Sequence, residues 1–226
     1  LIAHHVVQGR VLFPATGYLE MARAAMQLKA ALSNVFFLHP FTVGGGLLIQ
    51  CTVKNDRSEV RSCENDQLRE GAVHCSGAFT AFIEISRMRR LSTFSEAHRL
   101  PAHVSLLYDS FDAVGLQYGP GYRTLSQGWA GDYSAAARLQ VRSSWLGTQV
   151  HPADLDDALC VGAVASTGSE KETHLPFAVD TAVLHGASVV KLWAVRSVIH
   201  HCSQKMCLPH CHTLSICRLW RVMDRC

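Results

Sequence analysis

The sequence predicts an α+β fold of two consecutive units, each an antiparallel sheet wrapped around a helix. A helical pattern behind Pro14 is followed by strand patterns that are separated by turn residues. After a charged and polar break, the same order of helix and strands returns. The length of 226 residues suffices for two small cores. The duplication rests on this order of elements alone, because no strong sequence repeat connects the two halves.

The first unit is predicted at residues 1–90. Its helix covers 14–32, because Pro14 suits a first helical turn and apolar residues recur behind it at helical spacing. Strands are predicted at 47–53 and 72–82, with a hairpin turn at 54–57.

A linker at 91–104 is predicted from a stretch that is rich in charges, Ser and His and contains Pro101. The second unit then covers 105–226. Its predicted elements are a helix at 108–114, strands at 122–129 and 135–141, a helix at 153–165, and strands at 175–184 and 189–195.

Composition argues against several classes of protein. The net charge of +3 and the lack of a basic stripe argue against nucleic acid as a partner. No apolar run reaches about 18 residues, so no membrane span is expected. The nine cysteines are odd in number and irregularly spaced, which favours a reducing, cytoplasmic setting over a disulfide framework.

Histidines and cysteines crowd the start of the tail at 198–226. Their spacing invites a zinc site but matches no finger or ribbon pattern, so we predict no metal. The tail is instead expected to be loosely packed and not to supply closing strands of the fold. The residues in question are His200, His201, Cys202, Cys207, His210, Cys211 and His212.

Two motifs suggest a base in one half of the chain and an acid in the other. The string HVVQGRVLFP places His5 at the end of an apolar strand, Gly9 where backbone can approach a ligand, and Pro14 at the start of a helix. The string HPADLDDAL at 151–159 has the same transition from a strand end to a helix and carries Asp156. Elimination of water needs such a pair of groups.

With a third motif, these residues resemble the dehydratase domain of polyketide synthases, which is similar to that of animal fatty acid synthase. The first motif continues into GYLEMA at 17–22. GLQYGPGY at 115–122 looks like the family's GxxYGPxF loop, and HPADLD at 151–156 looks like its HPALLD segment. The resemblance covers about residues 1–195 and implies a double hotdog, in which two sheets each wrap round a central helix.

The resemblance implies a hydro-lyase that converts a β-hydroxyacyl thioester on acyl carrier protein into the α,β-enoyl thioester. No metal or redox cofactor is implied, since the substrate arrives on the phosphopantetheine of the partner. Acyl carrier protein, neighbouring synthase domains and a homodimer through the megasynthase are the implied partners. Two alternatives stay open: a product-template-like cyclase on the same fold, and a catalytically silent structural domain of a megasynthase.

His5 is the candidate base, because a neutral imidazole accepts a proton near physiological pH. His4 points the other way on an extended strand and is not expected to share this role. Asp156 is the candidate acid, since burial in an apolar pocket can raise a carboxyl pKa by ~3–5 units and so outweigh the opposing helix dipole. Asp154 and Asp157 are expected to be solvated charges of the same helix.

The remaining candidates are substrate-binding residues. Gly9 and the helix start behind Pro14 would receive the thioester carbonyl on backbone N–H groups. Tyr118, in the loop with Gly119 and Pro120, would line the site or position Asp156. His151 is expected to be structural, at the turn into the second helix. Cys160 lies one helical turn behind Asp156 and would pack beside the acid.

The chain departs from the family pattern at four places. It begins inside the first motif, so we expect a truncated fragment without the opening strands of the first hotdog. Cys160 stands where the family has a Gln or His that assists the acid, and a thiol is a weaker donor. Tyr122 replaces a customary Phe, and Asp154 replaces a customary Leu. The tail at 198–226 does not align with the family's closing strands.

Overall fold

The computed structural model describes residues 2–26, 30–63, 71–81, 100–131, 134–161, 173–182, 184, 193–199, 203–208, 212–216 and 220–222. Short 3-10 turns lie at Ile2–His4 and Pro120–Tyr122. The helices are α1 (Ala15–Met26), α2 (Val104–Ala113) and α3 (Pro152–Cys160). The strands are β1 (His5–Val7), β2 (Arg10–Val11), β3 (Ala30–Phe37), β4 (Leu48–Lys54), β5 (Arg57–Cys63), β6 (Ala72–Ala81), β7 (Leu100–Ala102), β8 (Leu116–Tyr118), β9 (Leu125–Gly131), β10 (Ser134–Leu139), β11 (His174–Pro176), β12 (Ala178–Ala182), β13 (Trp193–Ile199), β14 (Ser203–Leu208), β15 (His212–Ile216) and β16 (Trp220–Val222).

A five-stranded antiparallel sheet, in the order β12-β3-β6-β5-β4, packs against α1. Tyr18 and Leu19 on α1 are 2% and 1% exposed, and the ring of Tyr18 stacks on Phe37 and His74 of the sheet. The hairpin between β4 and β5 turns at residues 55–56 with positive φ, as a tight hairpin turn requires. β4, β6 and the turn confirm the elements predicted at 47–53, 72–82 and 54–57, whereas β3 and β5 were not predicted.

The predicted helix at 14–32 is too long. α1 ends at Met26, and β3 begins at Ala30. Alanines favour a helix locally, but this segment pairs with β6 on one side and β12 on the other, and Leu32 is 2% exposed between them. Sheet pairing and burial therefore override the local helix propensity.

A six-stranded antiparallel sheet, in the order β15-β14-β13-β10-β9-β7, forms the second unit with α3. β7 lies inside the predicted linker, so the end of that segment belongs to this sheet; its residues before 100 lie outside the described ranges. The strand predicted at 175–184 is interrupted at Phe177 and gives β11 and β12. The helix predicted at 153–165 is seen as α3, while 162–165 lie outside the described ranges.

The tail contributes strands, which corrects the expectation that it does not close the fold. β14 pairs with β13 and with β15, and β16 pairs with β11. Main-chain pairing along a sheet orders a segment whatever its side chains are. Of the seven crowded histidines and cysteines, Cys207 and His212 lie in β14 and β15, and the other five are outside the described ranges.

Strand pairing joins the two halves of the chain at two places. β12 pairs with β3 at the edge of the first sheet, and β1 pairs with β8 with His5 opposite Tyr118. A hydrogen bond also joins α1 and α3, since the Thr16 hydroxyl donates to the Pro152 carbonyl at 2.9 Å. These contacts bring the two sequence motifs to one place. Among the described residues, no helix is both long and apolar enough to cross a membrane.

Candidate active site

His5 lies at the start of β1 and is 5% exposed. Its Nδ1 lies 2.8 Å from the carbonyl oxygen of Leu12, which can only accept a hydrogen bond. In the neutral ring Nδ1 therefore carries the hydrogen, and Nε2 keeps the lone pair that can take up a proton. His4 is exposed and accepts a hydrogen bond from the Gly121 N–H at 3.0 Å, so it points away from His5 as expected.

Asp156 lies in the middle of α3 and is 6% exposed. Its Oδ2 is 3.7 Å from Nε2 of His5, which comes from the other half of the chain. The structure thus brings the candidate base and the candidate acid together. No local feature of either motif dictates this distance; it results from the pairing of β1 with β8 and from the packing of α1 on α3.

Tyr118 holds the carboxyl group of Asp156 in place. Its hydroxyl donates a hydrogen bond of 2.7 Å to Oδ2. Burial, followed by the nearby charge of Asp156, raises the pKa of Tyr118 well above its usual value, so the phenol keeps its proton and remains a donor. The Cys160 Sγ lies 3.7 Å from the same hydroxyl. The hydrogen bond that Cys160 was expected to provide poorly is supplied by Tyr118.

Aromatic rings enclose the pair. Tyr122 is 1% exposed, and its ring centroid lies 5.1 Å from that of His5 and 6.0 Å from that of Tyr118. The edge of Phe111 packs on Tyr118 at 6.1 Å. Such surroundings exclude water and strengthen the electrostatic interactions within the site.

The start of α3 is fixed by His151, which caps the helix as a structural residue. Its Nδ1 accepts a hydrogen bond from the Ala153 N–H at 3.3 Å. Burial and the charge of Arg142 lower the pKa of His151 to about 4, so the ring is neutral near pH 7 and its Nδ1 can accept.

The expectation that Asp154 and Asp157 are solvated is wrong, because both are buried. Asp154 is 5% exposed and pairs with Arg142 at 2.8 Å. Asp157 is fully buried, and its Oδ2 accepts hydrogen bonds from the Tyr108 hydroxyl at 2.8 Å, the Thr124 hydroxyl at 2.7 Å and the Thr124 N–H. α3 lies between other elements and is buried on nearly every face, so these two carboxylates do not reach solvent.

Burial raises the pKa of Asp157 to about 7, although the hydrogen bonds from Thr124 and Tyr108 act in the opposite direction. Sequence reasoning missed Asp157, Tyr108 and Thr124, which together anchor α3. A string of acidic residues in one short helix was the only signal, and it fits a solvated face equally well.

Two further predicted substrate-binding residues, Gly9 and Pro14, lie in the first motif. Gly9 lies in the exposed turn between β1 and β2 with φ +74°, and its N–H donates to Oε1 of Gln117 at 3.0 Å. In the structure this N–H is bonded to the side chain of Gln117, and the role of Gly9 in binding the thioester carbonyl stays a prediction. Pro14 is buried directly before α1, as predicted for a helix start.

The loop after β8 packs against the first motif. Gly119 donates its N–H to the His4 carbonyl at 2.8 Å, and a Cβ on Gly119 would lie 2.9 Å from Cβ of His4. Glycine is therefore required for this close approach. Pro120 is exposed in the 3-10 turn. Within the described ranges, no group of three or more His, Cys, Asp or Glu side chains is placed to hold a metal ion.

The two sheets, each packed against a helix, have the layout of a double hotdog. Two family models match the chain: "Polyketide synthase dehydratase N-terminal domain" at residues 89–205 and "Polyketide synthase dehydratase domain" at residues 1–65. The chain belongs to the polyketide synthase dehydratase family. Its class of activity is that of a hydro-lyase, as predicted.

Curated relatives are much longer than this chain. Polyketide synthase PksN of Bacillus subtilis is 23% identical over 220 residues, which cover 85% of this chain and 4% of PksN. Mycoketide-CoA synthase of Mycobacterium tuberculosis is 30% identical over 206 residues, which cover 84% of this chain and 5% of that protein. The chain therefore spans only a small part of the relatives it matches.

Solved structures agree in fold. The dehydratase domain from the CurF module of curacin polyketide synthase superimposes with a TM-score of 0.83 at 20% identity, covering 98% of this chain and 88% of that one. The dehydratase domain from the CurK module gives a TM-score of 0.80 at 23% identity, covering 98% and 86%. The predicted double hotdog is thereby confirmed.

Proposed function

We propose that this chain removes water from a β-hydroxyacyl thioester carried on the phosphopantetheine of an acyl carrier protein, and that it releases the α,β-enoyl thioester. The observation that carries the proposal is the buried pair of His5 Nε2 and Asp156 Oδ2, 3.7 Å apart, in a chain of this family. A base and an acid at this distance can serve adjacent carbons of one substrate.

His5 is the base in this proposal. Its Nε2 takes the proton from the α-carbon, and the electron pair of that bond forms the new double bond. The Leu12 carbonyl accepts the hydrogen of Nδ1, which fixes the ring and stabilises the imidazolium that forms.

Asp156 is the acid. Its carboxyl group gives a proton to the β-hydroxyl group, the bond between carbon and oxygen breaks, and the oxygen leaves as water. Tyr118 then stabilises the carboxylate through its hydrogen bond of 2.7 Å. After release of the product, a proton returns from His5 to Asp156 and completes the cycle.

Two solved relatives support these roles. Crystal structures of CurK dehydratase include an inactive mutant with Asn in place of an Asp and an inactive mutant with Phe in place of a His. The same two residue types are therefore essential in a protein of the same fold. The match to dehydratase family models favours dehydration over the cyclase alternative.

The proposal includes the partners of the reaction. Acyl carrier protein would deliver the substrate, so the chain itself needs no cofactor. Neighbouring synthase domains are proposed as partners because the chain matches only 4% and 6% of the length of two polyketide synthases. We further propose a homodimer through the megasynthase and a cytoplasmic location, where Cys51, Cys63 and Cys75 stay free thiols as in the structure.

Hydration of a crotonyl thioester, the reverse reaction, tests the proposal. We expect the unaltered chain to be active, and His5→Ala and Asp156→Asn each to lose about 10²- to 10⁴-fold in turnover. The exposed residues His39 and Asp180 offer matched controls, because His39→Ala and Asp180→Asn should retain activity. An inactive unaltered chain would indicate the silent structural domain. Activity retained by either site variant would overturn the assigned roles.

A further inference from the structure

We propose that the hydroxyl group of Tyr122 binds the β-oxygen of the substrate, as a second hydrogen-bond donor to the group that leaves. This inference rests on the proposed dehydration and adds a residue that neither motif contributes as base or acid. Tyr122 would be the contact by which the site distinguishes a β-hydroxyacyl group from the enoyl product.

The position of the ring is the first argument. Tyr122 follows the 119–121 loop and packs on both His5 and Tyr118, at centroid distances of 5.1 Å and 6.0 Å. These two residues are the ones that contact Asp156. Tyr122 therefore forms part of the wall around the reacting pair.

The state of its hydroxyl is the second argument. Tyr122 is 1% exposed, and its hydroxyl has no hydrogen-bond partner among the described residues. A buried polar group without a partner carries a cost in free energy, because it has lost its hydrogen bonds to water. A substrate that supplies an acceptor recovers this free energy, so an unpaired hydroxyl beside the reacting pair is suited to binding.

Electrostatics connect this hydroxyl with Asp156 in particular. Burial raises the pKa of Tyr122, and the charge of Asp156 is the next contribution in the same direction, while Arg142 opposes it. The phenol thus keeps its proton and acts as a donor toward an oxygen.

The chemistry of the leaving group accommodates both residues. A β-hydroxyl oxygen has two lone pairs. One receives the proton of Asp156, and the other accepts the hydrogen bond of Tyr122. The bond orients the carbon–oxygen bond for cleavage, and the oxygen departs as neutral water with no further proton needed from Tyr122.

The test compares both directions of the reaction in Tyr122→Phe, with 3-hydroxybutyryl and crotonyl thioesters as probes. We expect the KM for 3-hydroxybutyryl thioester to rise about 3- to 10-fold, which corresponds to one neutral hydrogen bond. The KM for crotonyl thioester should be unchanged, since it lacks the β-oxygen. The equilibrium constant is the ratio of kcat/KM for dehydration to kcat/KM for hydration, and no variant can change it. If kcat/KM for dehydration falls and the KM for crotonyl thioester is unchanged, kcat for hydration must therefore fall by the same factor.

Tyr18→Phe is the matched control. Tyr18 is also buried with an unpaired hydroxyl, but its ring packs against Phe13, Phe37 and His74 in the first sheet's core. The Tyr18→Phe variant should leave kcat and KM unchanged in both directions of the reaction. Constants of Tyr122→Phe equal to those of the unaltered chain would overturn the inference. An equal rise of both KM values would assign the hydroxyl to the thioester carbonyl and also overturn it.

Competition experiments on the unaltered chain keep the inference testable if Tyr122→Phe does not fold. Butyryl thioester, which lacks the β-oxygen, should bind at least about 3-fold more weakly than 3-hydroxybutyryl thioester. Equal binding of the two would overturn the inference. A failure of the proposed function itself looks different, because the unaltered chain would then be inactive in both directions.

Discussion

Two tyrosines donate to adjacent carboxylates of α3, and the two bonds have different consequences. Tyr118 donates to Asp156 at 2.7 Å, and Tyr108 donates to Asp157 at 2.8 Å. Asp156 faces His5, whereas Asp157 faces Thr124. Because successive helix residues point about 100° apart, one short helix serves the reaction on one side and its own anchoring on another.

Tyr118→Phe should lower the turnover of crotonyl hydration about 10-fold, because a hydrogen bond to a charged group contributes about 1.5 kcal/mol or more. Tyr108→Phe is the matched control, since it removes the same atom from the neighbouring bond. It should lower the free energy of unfolding with little effect on turnover. Equal losses of turnover in both variants would show that Tyr118 acts only through the stability of α3.

Cys160→Gln should raise turnover, because an amide donates a stronger hydrogen bond than a thiol to the Tyr118 and Asp156 pair. The Cys160 Sγ lies 3.7 Å from the Tyr118 hydroxyl, so a longer side chain at this position reaches the pair. Initial rates with crotonyl thioester measure the effect, and Cys160→Ala is the control for loss of the thiol. A folded but slower Cys160→Gln would mean that the thiol is fitted to its site.

At the scale of the element, α3 combines burial with acidity. All residues from Ala153 to Leu159 are buried, three of them aspartates. Arg142 pairs with Asp154, while Asp157 accepts hydrogen bonds from Tyr108 and Thr124 and forms no salt bridge with any residue in the described ranges. Burial raises the pKa of both carboxyl groups, and at Asp154 the hydrogen bond and charge of Arg142 act against this rise.

Asp157→Asn should change how stability depends on pH. Between about pH 4 and about pH 7, the folded chain keeps a proton on Asp157 that the unfolded chain releases. The free energy of unfolding therefore falls as pH rises through this window, by up to about 1.4 kcal/mol per pH unit for one proton. Urea unfolding at several pH values measures the slope. Asp157→Asn should flatten it, and Asp180→Asn, at an exposed position, should not. An unchanged slope in Asp157→Asn would contradict the burial argument.

At the scale of the whole molecule, the two halves share strands. β12 from the second half pairs with β3, and β1 from the first half pairs with β8. The buried side chains of both halves belong to one continuous cluster. Such sharing predicts that the halves unfold together.

Val60→Ala tests this cooperativity. Val60 is 1% exposed in β5, so the loss of its two methyl groups should cost about 1–3 kcal/mol. All four tryptophans (Trp129, Trp145, Trp193 and Trp220) lie in the second half and report on its unfolding by fluorescence. If the halves unfold together, the unfolding midpoint of Val60→Ala that tryptophan fluorescence reports should nevertheless shift to a lower denaturant concentration. A shift seen by circular dichroism but not by fluorescence would show that the halves unfold independently.

The sequence indicated much of the fold because local patterns carry it. The hairpin at residues 55–56, the helix behind Pro14 and the turn at His151 into the second helix were predicted from residue type and spacing, and all three are present. The length of α1 was overestimated because the first residues of β3, 30–32, are helix formers that pairing with two neighbouring strands holds in a sheet. The strands of the tail were not foreseen: β16 pairs with β11, which lies far away in the sequence, whereas β14 pairs with its neighbours β13 and β15.

The sequence by itself determined which groups are present for chemistry: His5, Asp156 and Tyr118 stand in motifs whose spacing and order resemble one family. The tertiary structure alone decided that Nε2 of His5 lies 3.7 Å from Oδ2 of Asp156 and that Tyr118 donates to Asp156. It also decided that Asp157 is buried and that the Gly9 N–H is bound to Gln117. The physical reason is that spacing along a chain fixes which face of an element a residue occupies, whereas burial and distance depend on which distant element packs against that face.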